Sequence, residues 1–439
     1  MGFLGVLGIL LALAFLVYIT FFKNWPIIPA SFVAAVIVAV FNAQPIWDAF
    51  TSGYAPSAGN YVRDFMVLMI VGAIFGELIA STGCAEAIAL KIVDSLGVKH
   101  VGIAIYILTC ILTLGGVNVM VVIFSVYPIA CRMIEKANLP RQFFLAAFLC
   151  GSCQWTMTCF PGTPSTHNLI PTTYLGTDIY AGPTLGIIAS VLFIIWAVVY
   201  LNRLEKWYRN KNIGYIPAAN APVYDKSQDL PNWKVAFLPL VLVLALSTTF
   251  NMLFHIDAKG SVVFACTIAG LVVIATNYKR FTKRPVSTFL STGMSGGVMA
   301  TMSTAAVLGT AGVIQAVPAF QWFINVCYNL PFSPIISLSA AVNLFCMVTG
   351  SSSGGLLIFM QTMADTFLEM GIDPEVIHRI TVMSCGGLDG VPHNSGIIIF
   401  LMTTGLSFKQ GYWQVFVNCI LAPVSVIIIS VILAMMGVV

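Results

Sequence analysis

The stretch GGLDGVPHNSG, residues 386–396, decides how this chain must fold. It places an aspartate, a histidine and an asparagine among glycines and a proline, between the largely apolar segments IHRITVMSC and IIIFLMTTG. Glycine and proline interrupt helices, and backbone that leaves the helical path inside hydrocarbon must be buried in protein or line a cavity. If the flanking segments lie in a membrane, the stretch therefore predicts a broken membrane helix.

Composition places those flanking segments in a membrane. Of 439 residues, 59% are hydrophobic and 8% charged, against roughly a quarter charged in soluble proteins. The apolar runs are about 17 to 25 residues long, which suits helices crossing roughly 30 Å of hydrocarbon. The net charge of +4 comes from basic residues between these runs, which indicates membrane topology rather than nucleic-acid binding. We predict an all-α polytopic membrane protein.

Internal similarity divides the chain into two halves. A shift of 233 or 234 positions aligns Gly116 with Gly350 and Pro140 with Pro374. Further on, the His-Asn pair of PSTHNLI resembles the His-Asn pair of VPHNSGI. This ordered series predicts two structural repeats. We expect a first repeat, a cytoplasmic linker and a second repeat at residues 1–205, 206–233 and 234–439.

The charges of corresponding loops indicate that the repeats are inverted. The loop CRMIEKANLPRQ carries three basic residues and one acid, whereas its counterpart ADTFLEMGIDPEVIHR carries four acids and one arginine. Positive loops stay in the cytoplasm, so the two loops should lie on opposite faces. We predict about seven membrane segments per repeat, with both termini outside. This topology places all but three of the twenty Lys and Arg residues on the cytoplasmic side; the exceptions are Arg63, Lys259 and Arg379.

Two segments, 84–98 and 317–330, have too few apolar residues to span a membrane comfortably. They fit amphipathic arms that link a scaffold to a moving part, and they fit ordinary short connectors equally well.

Four segments are predicted to break their helices inside the membrane, at 114–118, 160–168, 349–355 and 386–396, and they form two pairs under the repeat. Paired discontinuous helices near the membrane midplane are typical of the substrate site of a secondary transporter. The residues predicted to make the breaks are Gly115, Gly116, Pro161, Gly162, Pro164, Gly350, Gly386, Gly387, Gly390 and Pro392.

The four breaks contain no lysine or arginine, yet they are rich in hydroxyl and amide side chains. Helix N-termini supply free N–H donors and partial positive charge, so a carboxylate can be held there without a buried cation. The alternative is that these side chains only cap helix ends. The predicted substrate-binding residues are Asn118, Thr163, Ser165, Thr166, His167, Asn168, Ser351, Ser352, Ser353, His393, Asn394 and Ser395.

Two acids fall well inside the predicted membrane segments, Glu77 and Asp389, and both are candidates to couple transport to an ion. Glu77 could instead lie near the cytoplasmic end of its helix and reach the interface. Asp389 could instead form an Asx turn or a helix cap beside Gly390. The cysteine spacing suggests neither disulfides nor a zinc site, so we expect no metal and no cofactor.

These motifs resemble a known family. GGLDGVPHNSG followed by TTGLSFKQGYWQ, together with FPGTPSTHNLIPTTYLGT and FGELIASTG, is similar to the GntP family of gluconate permeases within the ion-transporter superfamily. The resemblance implies proton-coupled uptake of gluconate or related small hydroxy acids through the cytoplasmic membrane of a bacterium. It also implies an inverted-repeat fold with re-entrant or broken helices, a homodimer and an elevator-like motion.

The function predicted from the sequence is therefore secondary active transport of a small organic carboxylate by proton symport. Its expected partners are the organic anion and membrane lipid, not nucleic acid. Sodium coupling remains open, because hydroxyls and carbonyls around unwound helices are also good sodium ligands. A channel or uniporter is a second class, although a channel favours a continuous pore. An intramembrane enzyme using Asp389 and a histidine is a third, although no HExxH or similar metal signature is present.

Overall fold

The computed structural model describes most of the chain, and within that part all regular secondary structure is helical. Six helices in the described part are long and apolar enough to cross a membrane, which confirms the expected class of an all-α membrane protein. The described residues are 2–23, 25–97, 100–114, 119–163, 165–218, 230–254, 256, 258–282, 285–328 and 331–439.

Eleven α-helices are described up to Asn210, inside the predicted linker, and a π-helical turn, Ala49–Tyr54, joins the third helix to the fourth. They are α1 (Gly2–Lys23), α2 (Ile27–Phe41), α3 (Ile46–Asp48), α4 (Ala55–Ser81), α5 (Cys84–Leu96), α6 (Val101–Leu114), α7 (Val119–Lys136), α8 (Arg141–Ser152), α9 (Trp155–Thr158), α10 (Thr166–Leu175) and α11 (Pro183–Asn210).

Ten α-helices are described from Trp233 onward, with a 3₁₀ turn at Tyr278–Thr282 and a π-helical turn at Val417–Leu421. They are α12 (Trp233–Phe254), α13 (Ala258–Thr276), α14 (Val286–Ala316), α15 (Pro318–Tyr328), α16 (Pro334–Thr349), α17 (Ser352–Glu369), α18 (Pro374–Ser384), α19 (Ser395–Thr404), α20 (Phe408–Phe416) and α21 (Ala422–Met435).

The order of long and short helices is similar in the two halves. The series α4 to α8 is matched in sequence by α14 to α18, and the short helix α10 is matched by α19. The two segments with too few apolar residues to span a membrane contain the short helices α5 and α15. Each of these helices directly follows one of the longest helices, α4 or α14.

Helices α4 and α14 form the most extensive helix pair of the described structure. They approach closely because Gly293 and Gly297, spaced four residues apart on α14, lie against the backbone of Ile74 and Ile70 on α4. A Cβ atom at either glycine would come within 2.6 Å of a Cα atom of α4. Small residues at this spacing let membrane helices make dense backbone contact where the hydrophobic effect offers no driving force.

The short helices that follow the breaks cross between the halves. Helix α10 packs against α17 and α18, whereas α19 packs against α7 and α8 as well as α14. Each half therefore holds the broken helix of the other, and the breaks come together in the interior.

Candidate substrate-binding site

Three of the four predicted breaks lie within the described residues. They fall between α9 and α10, between α16 and α17, and between α18 and α19. The predicted break residues Pro161, Gly162, Gly350, Gly386, Gly387, Gly390 and Pro392 all lie in this non-helical backbone. The fourth predicted break falls between α6 and α7, where Gly115, Gly116 and Asn118 lie outside the described residues. Pro164 also lies outside them.

Each helix that follows a described break begins with a side-chain cap. Oγ of Ser165 accepts from the Asn168 N–H of α10 at 3.2 Å, and Oγ of Ser351 accepts from the Gly354 N–H of α17 at 3.1 Å. Oδ1 of Asn394 accepts from the first N–H groups of α19, at 2.7 and 3.3 Å. Capping satisfies some of the N–H groups that a helix start leaves free. These three predicted residues therefore start helices, whatever else they do.

Four predicted substrate-binding or coupling residues from these breaks line one cavity of about 80 Å³, and so do the predicted break residues Gly386 and Gly390. His167 comes from the start of α10 and Ser352 from the start of α17, while Asp389 and Asn394 precede α19. Among the described lining residues, Asp389 is the only one with a formal charge, and none is a lysine or arginine. Residues from the starts of three helices and one carboxyl group thus line one small cavity.

A chain of polar contacts runs across this cavity. Nε2 of His167 lies 2.9 Å from Oγ of Ser352, and Asp389 lines the same cavity as these two residues. Nδ2 of Asn394 donates to the backbone oxygen of Asp389 at 2.7 Å and lies 3.5 Å from its Oδ2. Nδ1 of His167 is buried and has no protein partner among the described residues. The cavity is therefore the place where a partner for this nitrogen can bind.

Asn168 follows His167 directly but does not line the cavity. Its amide donates to the backbone oxygens of Thr163 and Ile179 at 3.0 and 2.7 Å. Its Oδ1 accepts from Arg379 at 3.2 Å and lies 3.1 Å from Nε2 of His378. The hydroxyl of Thr163 donates to the Phe160 carbonyl at 3.1 Å. In this structure both residues hold the first break together.

Arg379 was not among the predicted site residues, and it is fully buried. Its guanidinium donates to the carbonyl oxygens of Ala181 (2.6 and 2.9 Å), Cys159 (3.2 Å) and Ile179 (3.4 Å), as well as to Asn168. In the sequence, Cys159 precedes α10, whereas Ile179 and Ala181 follow it. Arg379 therefore fixes α10, which belongs to the first half, to α18, which belongs to the second.

His393, Thr166 and Ser353 are not among the residues that line the cavity. Nε2 of His393 lies 3.0 Å from the Met347 carbonyl, and its ring is close to Gly350. Thr166 is the first residue of α10, Ser353 the second of α17 and Ser395 the first of α19.

Glu77 lies in a different part of the structure. It accepts a hydrogen bond from Ser81 at 2.7 Å and lines a second cavity of about 600 Å³ between α4, α7, α14 and α19. Helix α19 separates the two cavities, since Ile397 lines the small one and Ile399 the large one. The two predicted coupling residues, Glu77 and Asp389, thus do not share a cavity.

The described residues contain no group of three or more His, Cys, Asp or Glu side chains arranged to hold a metal ion.

Comparison with known proteins identifies the family. The model of the GntP family permeases matches residues 4–318. A protein of Bacillus subtilis (strain 168) named "Uncharacterized transporter YxjC" is 28% identical, over 98% of this chain and 99% of its own length. Two proteins of Haemophilus influenzae, named "Uncharacterized transporter" and "Uncharacterized permease", are 23% and 22% identical over 79% and 80% of this chain, covering 77% and 76% of their own lengths.

The resemblance seen in the sequence motifs is confirmed, and so is the prediction of a transporter rather than an enzyme. The chain belongs to the GntP family of permeases.

Proposed function

We propose that this permease is a secondary active transporter that takes up a small organic carboxylate, such as gluconate or a shorter hydroxy acid, by proton symport. The observation that carries the proposal is the cavity in which His167, Ser352, Asp389 and Asn394 meet at the starts of three helices. The substrate binds in this cavity, and the proton binds at Asp389.

The cavity has the chemistry of a carboxylate site. Three helix N-termini contribute N–H dipoles, each equivalent to roughly half a positive charge, which favours an anion. The hydroxyl of Ser352 and the free ring nitrogen of His167 add polar groups for the carboxylate or hydroxyl of a hydroxy acid. At about 80 Å³ the cavity is small. This favours a short acid over a long one.

The position of Asp389 gives a physical reason for proton coupling. Two unit charges about 5 Å apart repel by about 3 kcal/mol at an effective dielectric constant of about 20. An ionised Asp389 would therefore weaken anion binding by roughly a hundredfold. Protonation removes this repulsion and lets anion and proton cross as a neutral pair, without work against the membrane potential. In this proposal Asp389 rather than Glu77 couples transport, because only Asp389 lines the substrate cavity.

Alternating access follows from two inverted repeats that move the site as a unit. The matched helix order of the two halves supports the repeats, and the opposite charge of corresponding loops supports their inversion. The extended pair α4 and α14 serves as scaffold, while the broken helices form the moving part. We further propose a homodimer in the bacterial cytoplasmic membrane with both termini outside.

Sodium is the second candidate for the coupling ion. The carboxylate of Asp389, the hydroxyl of Ser352 and the backbone oxygens of the break are oxygen groups of the kind that hold sodium at unwound membrane helices. In that case the sodium ion takes the place of the proton in neutralising Asp389.

Uptake by proteoliposomes tests the proposal. Vesicles containing the purified protein are given labelled gluconate, glycerate or lactate under an imposed proton gradient, an imposed sodium gradient or neither. Accumulation of one acid under the proton gradient supports the proposal, and accumulation under the sodium gradient alone assigns sodium. Uptake that ignores both gradients would overturn symport in favour of a uniporter.

Replacing one asparagine in the cavity and one outside it tests where the substrate binds. Asn394→Leu is expected to abolish uptake because the amide bridges Asp389 and the start of α19. Asn210→Leu, at the exposed end of α11, is the matched control and should transport normally. Size-exclusion chromatography of each purified variant shows whether a loss of uptake is due to misfolding.

A further inference from the structure

His167, Ser352 and Asp389 line one cavity, which places an imidazole, a hydroxyl and a carboxyl group together. Nε2 of His167 lies 2.9 Å from Oγ of Ser352. The far nitrogen of the ring, Nδ1, has no protein partner among the described residues, although the His167 side chain is only 7% exposed. A buried polar atom without a partner is costly, so the cavity it borders is expected to supply one.

Resting on the proposed function, we infer that His167, Ser352 and Asp389 form a proton relay that switches the cavity between a state that rejects the anion and a state that binds it. With Asp389 ionised, the Ser352 hydroxyl donates to the carboxylate and accepts from Nε2–H of His167. Neutral imidazole has one donor and one acceptor nitrogen, so Nδ1 is then an acceptor. An acceptor beside a carboxylate repels an anion.

The relay runs when a proton arrives from the cavity at Nδ1 of His167. An N–H bond forms at Nδ1 and the one at Nε2 breaks, its proton passing to Oγ of Ser352. The original Ser352 hydroxyl proton passes to the Asp389 carboxylate. One proton has entered, Asp389 is neutral, and His167 is neutral with its hydrogen on Nδ1. The direction of every hydrogen bond has reversed, and Nδ1–H is now a donor for the carboxylate of the substrate.

The surroundings of Asp389 allow one proton to control this switch. The titratable groups that face it from neighbouring elements are His167 of α10 and the thiols of Cys346 on α16, Cys385 after α18 and Cys419 in the π-helical turn. The thiol of Cys153 also lines the cavity. No lysine or arginine is among the described lining residues. No fixed charge therefore replaces the proton.

Substitution of each relay member gives a different expected result, measured with the acid that the uptake assay identifies. Wild-type binding should weaken by about tenfold per pH unit once Asp389 ionises, because one proton accompanies one anion. Asp389→Asn replaces the acid O–H by an amide N–H and holds the chain in its binding direction. Its affinity should change less than about twofold between about pH 5 and pH 8, with acid exchange retained and accumulation lost.

Ser352→Ala cuts the relay while leaving both ends in place. Affinity at low pH should fall by about tenfold or more, and accumulation should be lost. Without the Ser352 hydroxyl, the protonation of Asp389 no longer determines which nitrogen of His167 carries the hydrogen. Ser352→Thr restores the hydroxyl and should restore pH-driven accumulation. Ser190→Ala is the matched control, since Ser190 is a buried serine on α11 whose hydroxyl, among the described residues, donates only to the Gly186 carbonyl of its own helix, at 2.7 Å.

Two results would overturn the relay. One is Ser352→Ala protein that accumulates the acid with wild-type pH dependence, and the other is Asp389→Asn protein that keeps a steep pH dependence. A test without substrate uses NMR of isotope-labelled histidine. The hydrogen of His167 should move from Nε2 to Nδ1 as the pH falls in wild type but not in Ser352→Ala, and an unchanged tautomer in wild type contradicts the relay. If wild-type protein accumulates none of the three acids, the proposed function itself fails, which is a separate outcome.

Discussion

The buried guanidinium of Arg379 offers a quantitative test of how the first broken helix is held. It makes five hydrogen bonds to four acceptors. Two of these acceptors have another donor, because Ile179 O also accepts from Asn168 and Oδ1 of Asn168 also contacts His378. In the described structure, the carbonyls of Ala181 and Cys159 depend on Arg379.

Arg379→Lys keeps the charge but loses the planar fork that reaches acceptors on both sides of α10. A single ammonium group can serve one of the two dependent carbonyls, which leaves the other buried without a donor. An orphaned buried acceptor costs about 1–3 kcal/mol, so the free energy of unfolding should fall by about that amount. Titration of the purified protein with SDS in mixed micelles measures it.

Arg203→Lys on the exposed side of α11 is the control and should change stability by less than about 0.5 kcal/mol. If Arg379→Lys also falls within about 0.5 kcal/mol of wild type, the fork geometry contributes nothing and the account of how α10 is held is refuted.

Three further substitutions test other parts of the structure. Gly350→Ala should destabilise the protein by about 1–2 kcal/mol or more in the same SDS titration, because Gly350 has a φ of +59° and a Cβ there would press on the ring of His393; wild-type stability would contradict this. Tyr412→Phe removes the bond from its hydroxyl to the Gly390 carbonyl at 2.9 Å, so it should cost about 1 kcal/mol by the same titration, and no loss would show that this bond does not secure the break. Glu77→Gln should leave the pH dependence of uptake unchanged because Glu77 faces the second cavity, whereas a lost pH dependence would move the coupling site there.

The fold class and family could be predicted because their signals are strong and local. Long apolar runs determine a helical membrane protein whatever their tertiary partners. The breaks were visible as glycine and proline within those runs, and each described break ends in a capped helix. These features depend on the backbone chemistry of a few adjacent residues, which a sequence displays directly.

Side-chain direction could not be predicted in the same way. The His-Asn pairs of the two halves look equivalent, yet His167 lines the cavity while Asn168 is held by Arg379, and Asn394 lines the cavity while His393 contacts Met347. Which member of a pair faces inward depends on the start of the following helix and on partners more than 200 residues away in the case of Asn168 and Arg379. Periodicity carries no information about such partners.

One signal for Arg379 was present in the sequence. It was among the three basic residues that fell off the cytoplasmic side in the predicted topology. A basic residue that violates this pattern is either misplaced or buried with partners, because an unpaired charge inside a membrane is costly. The structure shows that Arg379 is buried and hydrogen-bonded to four acceptors, so exceptions to the charge rule are worth testing as structural residues.

The location of bound substrate tests the central claim most directly. The measurement is a cryo-electron microscopy map of the protein at low pH with the transported acid bound. We predict density for the acid in the small cavity, with its carboxylate about 3 Å from Nδ1 of His167 and beside Ser352 and Asp389. Density for the acid in the larger cavity beside Glu77, with the small cavity unchanged, would contradict the account.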